Sequence, residues 1–107
     1  MEIKKLLEEY AMLNDAIYQL RNQILNEEIK ETQYECRLWL ETNFKELKLS
    51  NKELREAYVK QKMGEYISKV GKLRNDLKFA EGELNLCKTK ISLIKELGID
   101  LNDSEEE

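Results

Sequence analysis

Leu49-Ser50-Asn51-Lys52-Glu53-Leu54 is the one stretch of this 107-residue, proline-free chain that tells a helix to stop and another to begin. Ser50 stands three residues before Glu53, the spacing of a capping box, in which the hydroxyl accepts from the Glu53 backbone N–H and the carboxylate reaches back to the Ser50 N–H. Leu49 and Leu54 flank the box as a hydrophobic staple does. The stretch therefore predicts a bend at residues 48–50 joining two helical arms, about 1–47 and 50–97.

The flanking segments supply those arms. Ile3, Leu6, Tyr10, Leu13, Ile17, Leu20 and Ile24 alternate steps of three and four, the period of a heptad seam. At Glu27 and Glu28 the period slips, and the apolar series resumes as Leu25, Ile29, Cys36, Leu40, Phe44 and Leu47, which reads as a stutter that unwinds a supercoil without ending the helix. In the second half Ile67, Val70, Leu73, Leu77, Ala80, Leu84, Cys87, Ile91 and Ile94 alternate three and four again. Gly98 reads as the helix stop, and residues 99–107 read as a disordered acidic tail.

Folding at residues 48–50 sets residues whose numbers sum to about 97 side by side. Ile3 then meets Ile94, Leu6 meets Ile91, Tyr10 meets Cys87, Leu13 meets Leu84 and Ile17 meets Ala80. Two independent seams that mesh in one register predict an all-α fold: a long antiparallel hairpin over residues 1–98, each arm roughly 45 residues and about 68 Å long. Composition agrees, since 37% charged and 7% aromatic residues supply a seam and not a thick core.

Closing that seam leaves apolar residues over. Phe79, Leu86 and Leu93 recur every seven residues on an outer face of the second helix, and Tyr18 and Leu25 share an outer position of the first with Ala11. A lone hairpin leaves both stripes wet, which predicts a homo-oligomer, a multi-helix bundle, or a partner protein covering them. Gly64, Gly71 and Gly82 lie inside the second helix, where each costs about 1 kcal/mol against alanine. Either another helix approaches closely there or the helix tolerates a weak spot.

Charge is unevenly laid. The 18 basic and 22 acidic residues give a net of −4. The central third is basic, and Arg55, Lys60, Lys62, Lys69 and Lys72 could track phosphates of a nucleic acid. The neighbouring Glu27, Glu28, Glu31, Glu35 and Glu41 offset that field, so interhelical ion pairs account for the pattern more simply.

No motif for chemistry is present: no CxxC, no HExxH, no glycine-rich phosphate loop, and no histidine to activate a serine or cysteine. The sequence predicts no enzyme, no catalytic residue, no metal site and no cofactor. Cys36 and Cys87 read as reduced, buried thiols, on the order of 39 Å apart along the hairpin and so unable to pair. Neither a membrane-spanning run nor a signal-peptide stretch is evident, which predicts a cytosolic protein.

Trp39-Leu40-Glu41-Thr42-Asn43-Phe44-Lys45, followed by Leu49 to Val59 with its Asn-x-x-x-Arg-x-Ala-Tyr pattern, resembles the middle of small coiled-coil proteins encoded by phages and prophages of low-GC Gram-positive bacteria. The resemblance covers about 20 residues. It implies the cytosol of a bacterial host and a host or phage protein as partner; those proteins share no agreed activity, so it implies a setting more than a mechanism. Within the segment Trp39 is a plug for the hairpin's end or an anchor for a partner. Arg55 and Tyr58 with it are a clasp, Arg55 meeting a carboxylate of the first arm and Ala57 and Tyr58 closing the seam, or else a recognition tip.

Three functions are expected in this order: protein–protein binding that inhibits or modulates a host defence or DNA-processing enzyme; nucleic-acid binding as an accessory of phage replication or recombination; and a structural coiled-coil spacer.

Overall fold

A computed structural model describes residues 3–97, and every described element is helical: α1 Ile3–Glu41, α2 Lys52–Lys62 and α3 Gly64–Glu96. The Gly98 stop and the acidic tail lie outside the described residues. The chain packs into two units, one from residues 3–21 with 75–97 and the other Asn22–Arg74.

In the first unit Ile3, Leu6, Cys87 and Ile94 form a buried cluster, with Tyr10, Leu13 and Ile91 packed against it. Ile17 and Ala80 are buried as well. These are the expected seam residues of both segments. The Cys87 thiol donates to the Leu6 carbonyl at 3.2 Å, and Arg21 Nη2 meets Glu81 Oε2 at 3.1 Å. Going from Leu6 to Arg21 along α1, the partner falls from Cys87 to Glu81, so the two segments of this unit run antiparallel. Full burial of a Leu or Ile side chain stabilises by roughly 1.5–3 kcal/mol, whereas an exposed ion pair contributes under about 1 kcal/mol. The apolar seam holds the unit, and Arg21 with Glu81 contributes little beyond pairing preference.

The second unit corrects the stutter. Ile24 is buried, and the next positions at heptad spacing are Glu27, buried, then Glu31, Tyr34 and Leu38, all half-buried. The period never slips; two glutamates occupy seam positions. The series that had seemed to carry the seam faces solvent, with Leu25, Ile29, Cys36, Leu40 and Leu47 all exposed and Leu40 at 84%. Cys36 is thus exposed where a buried thiol was expected. The physical reason is that the α1 seam must stay on the face presented to its partner helix, and a carboxylate can occupy that face where cations reach it, as at Glu27, or where it stays half in water, as at Glu31.

On the opposing side the seam runs Val59, Met63, Tyr66 and Val70, with Leu73 half-buried behind it. Tyr66 replaces the expected Ile67, which is 46% exposed. Tyr66 stacks on Tyr34, ring centroids 5.1 Å apart. Val59, rather than the exposed Ala57, closes the seam towards the connection. The second arm is also interrupted once, at Met63, whose ψ of −8° ends α2. Met63 still accepts from the Ile67 N–H at 3.0 Å, so the helical hydrogen bonding is scarcely broken.

The connection spans residues 42–51 rather than 48–50, and α1 ends at Glu41 rather than residue 47. Asn43 explains the early stop: its Oδ1 accepts from the Glu46 N–H at 3.2 Å, capping a new helical turn. That turn closes with Leu49 N–H to Phe44 C=O at 2.9 Å and Lys48 N–H to Lys45 C=O at 3.1 Å. This pair of bonds is a Schellman motif, and it places Lys48 in the left-handed region, φ 58°, where glycine is the usual residue. A second asparagine then starts α2. Asn51 is extended and its Oδ1 accepts from the Leu54 N–H at 2.8 Å, so Asn51, not Ser50, is the N-cap. With the cap moved by one residue, Leu49 and Leu54 lose the staple spacing, and Leu54 is exposed.

Candidate interaction surface

Phe44, at the first residue of the short turn, organises the aromatic and cationic groups of the connection. Trp39 lies 5.5 Å from it, Tyr58 6.3 Å from it edge-on, and the Arg55 guanidinium 5.4 Å from its ring centroid. Arg55 Nε also donates to the Leu49 carbonyl at 2.9 Å. Arg55 therefore meets a carbonyl and a ring instead of the expected carboxylate of the first arm. Its contacts tie α2 to the Schellman turn, because the guanidinium satisfies a carbonyl that no helix uses while its planar face covers Phe44. The structure brings Trp39, Arg55 and Tyr58 around one ring. Trp39 remains 39% exposed.

Beside this clasp an open groove of about 390 Å³ is lined by Glu31, Glu35 and Trp39 from α1, Glu56, Val59 and Lys60 from α2, and Met63 and Ile67 beyond it. Val59 and Met63 are buried, so the groove has an apolar base, and its acidic side chains outnumber the basic one. Glu31, Glu35 and Trp39 recur every four residues and so lie along one edge of α1. Sequence reasoning missed the groove because it assigned Glu31 and Glu35 only to charge balance and misplaced Ile67 in the seam.

The basic residues considered for nucleic acid are spread among other tasks. Lys69 Nζ lies 3.2 Å from Glu27 Oε1, Lys62 Nζ lies 5.6 Å from the Tyr58 ring centroid, and Lys60 lines the acidic groove. Lys72 is exposed. Glu27 also meets Lys30 at 3.5 Å. The Lys69 hydrogen bond, above all, holds the Glu27 carboxyl below its usual range of about 4.5, against the opposing effect of burial. Arg74 Nη2 meets Glu28 Oε1 at 2.8 Å. Lys69 with Glu27 and Arg74 with Glu28 are interhelical ion pairs of the kind the charge pattern suggested, formed at two of its five glutamates, whereas Lys30 with Glu27 is a contact within α1.

The outer apolar positions are where the heptad places them. Phe79 is 71% exposed, Tyr18 66%, and Leu86, Leu93 and Leu25 about half exposed. Gly64, Gly71 and Gly82 have open space where a Cβ would project, so no neighbour within the described residues requires glycine at any of them.

Burial raises the Cys87 thiol above its ordinary range, with Glu9 adding to the effect, whereas Cys36 stands on the surface. Among the described residues no group of three His, Cys, Asp or Glu side chains converges as a metal site would require. No helix among them is long and apolar enough to cross a membrane. Comparison of the chain with protein families, curated proteins and solved structures finds no match.

Proposed function

We propose that the chain is a non-enzymatic, phage-derived helical hairpin that self-associates and works by binding a protein. In this reading it inhibits or redirects a host defence or DNA-processing enzyme in the bacterial cytosol. The observation that carries the reading is the exposure of Phe79, Leu86 and Leu93 at seven-residue spacing in a unit whose seam is already supplied by other residues. Leu25, Ile29, Cys36 and Leu40 give the other unit a comparable outer stripe on α1. Taking a Leu or Phe side chain from full exposure to full burial stabilises by roughly 1.5–3 kcal/mol, and these side chains, about half exposed or more, contribute a proportionate share of that towards the cost of association. The setting rests on the resemblance of Trp39 to Val59 to phage and prophage proteins.

Light scattering tests the self-association, and affinity capture from infected or lysogenic cells tests the protein target. A target recovered with the wild-type chain and lost with Phe79→Ser/Leu86→Ser supports the proposal. A chain that recovers only nucleic acid supports the accessory reading instead, and recovery of nothing supports a spacer. The nucleic-acid reading is the weaker one because Lys69 is engaged by Glu27 and Lys60 borders carboxylates, which reduces the field a phosphate would meet.

A further inference from the structure

The groove of the second unit has a chemistry that neither the seam nor the outer stripes use. Its apolar residues are Trp39, Val59, Met63 and Ile67. Trp39 and Ile67 are partly exposed, so the groove offers apolar surface to a ligand as well as a buried base. Its carboxylates are in excess. Glu56 is met by Lys52 at 3.7 Å, whereas among the described residues no basic group lies within ion-pair distance of Glu31 or Glu35. This sets them apart from Glu27 and Glu28 one turn earlier, each of which is held by a cation from α3. The same helix edge thus carries two carboxylates satisfied within the fold and two left over, and the leftover pair borders the groove.

We propose that this groove docks a basic amphipathic segment of a partner protein, its aliphatic or aromatic side chain packing on Trp39, Met63 and Ile67 while its Lys or Arg residues pair with Glu31 and Glu35. An apolar surface whose rim carries three carboxylates against the single cation Lys60 selects a ligand of net positive charge with an apolar anchor, because either feature alone binds weakly. The residue Trp39 is the natural anchor contact, being large, rigid and half-covered already by Phe44. The inference rests on the protein-binding reading above and names the chemistry of the partner.

The chain holds a single tryptophan, so Trp39 fluorescence reports occupancy of the groove directly. The probe is a synthetic peptide of leucine and lysine at helical amphipathic spacing, titrated into the intact chain. Two control peptides accompany it: one with glutamate in place of lysine, the other with lysine kept and leucine replaced by glycine. The expected result is a saturable change in Trp39 emission with the Leu/Lys peptide only. Affinity should fall about tenfold in Glu31→Gln/Glu35→Gln, and further between 0.1 and 1 M salt as the Debye length shrinks from about 10 to about 3 Å. Glu8→Gln/Glu9→Gln removes the same charge from the other unit and should leave the affinity unchanged. The proposal is overturned if Trp39 does not respond, if the Glu31/Glu35 variant binds as well as wild type, if the Glu8/Glu9 variant loses as much, or if the leucine-free peptide binds equally. Any of these results leaves self-association, measured separately by light scattering, untouched, so the two failures are distinguishable.

Discussion

Lys69 Nζ stands 3.2 Å from Oε1 of Glu27, and that contact keeps a carboxylate at a position of the α1 seam where an apolar residue would be ordinary. A polar residue in a heptad seam trades stability for register. Because the folded state lowers the Glu27 pKa, its stabilising contribution is complete above about pH 4.5 and is lost as pH falls through the lower, folded value. Thermal melts should therefore show a loss of stability setting in below about pH 4.5 that is smaller in Glu27→Gln. Glu27→Leu should melt higher than wild type at neutral pH, since Lys69 is solvent-accessible and is not stranded by the change. A lower melting temperature for Glu27→Leu would show that the ion pair, and not the apolar seam, holds this region.

The two caps of the connection can be separated. Asn51→Ala should cost about 1 kcal/mol in urea unfolding, because it orphans the Leu54 N–H, while Ser50→Ala should cost less than about 0.5 kcal/mol. Equal effects would put the cap back at Ser50.

At Lys48 the left-handed backbone penalises any Cβ. Lys48→Gly should stabilise by about 1 kcal/mol and Lys48→Val should destabilise, both read from the shift in urea midpoint at unchanged slope.

Thiol labelling should divide the cysteines. Cys36 should react with a disulfide reagent at the rate of a free thiol, and Cys87 only as the chain opens, since its thiol is buried, bonded to the Leu6 carbonyl and raised in pKa. Fast labelling of both would place Cys87 outside the seam.

Much of this fold was legible in the sequence where seam residues are apolar. Ile3, Leu6, Ile17, Ala80, Cys87 and Ile94 follow the heptad rule and are buried. The rule failed where polarity and position disagree. Glu27 and Glu31 hold seam positions, and reading Glu27 and Glu28 as a break moved the pattern onto Leu25, Ile29, Cys36 and Leu40, which are exposed. Tyr66 and Ile67 are adjacent, and apolarity chose the wrong one because the aromatic partner Tyr34 is distant in sequence. In the connection Asn43 caps a turn that the sequence did not announce, and Asn51 takes the α2 cap expected of Ser50, each side-chain oxygen accepting from an N–H three residues on. The groove was not legible at all, since its lining is drawn from all three helices and the α2–α3 junction, and its distinguishing feature, that no basic group among the described residues reaches Glu31 or Glu35, depends on which lysines reach across.

Gly71 and Gly82 offer a test of whether another helix needs their room. With open space at both, Gly71→Ala and Gly82→Ala should each stabilise by about 1 kcal/mol if nothing packs there. A variant that gains stability as a monomer but associates less would mark that glycine as a contact between copies.

The central claim is that the exposed apolar stripes are covered by association. Light scattering coupled to size separation, at micromolar concentration, measures it most directly. The account predicts a mass at least twice the 12.7 kDa of one chain, falling towards 12.7 kDa in Phe79→Ser/Leu86→Ser with helicity retained. A wild-type chain that runs as a clean 12.7 kDa species at that concentration would contradict it.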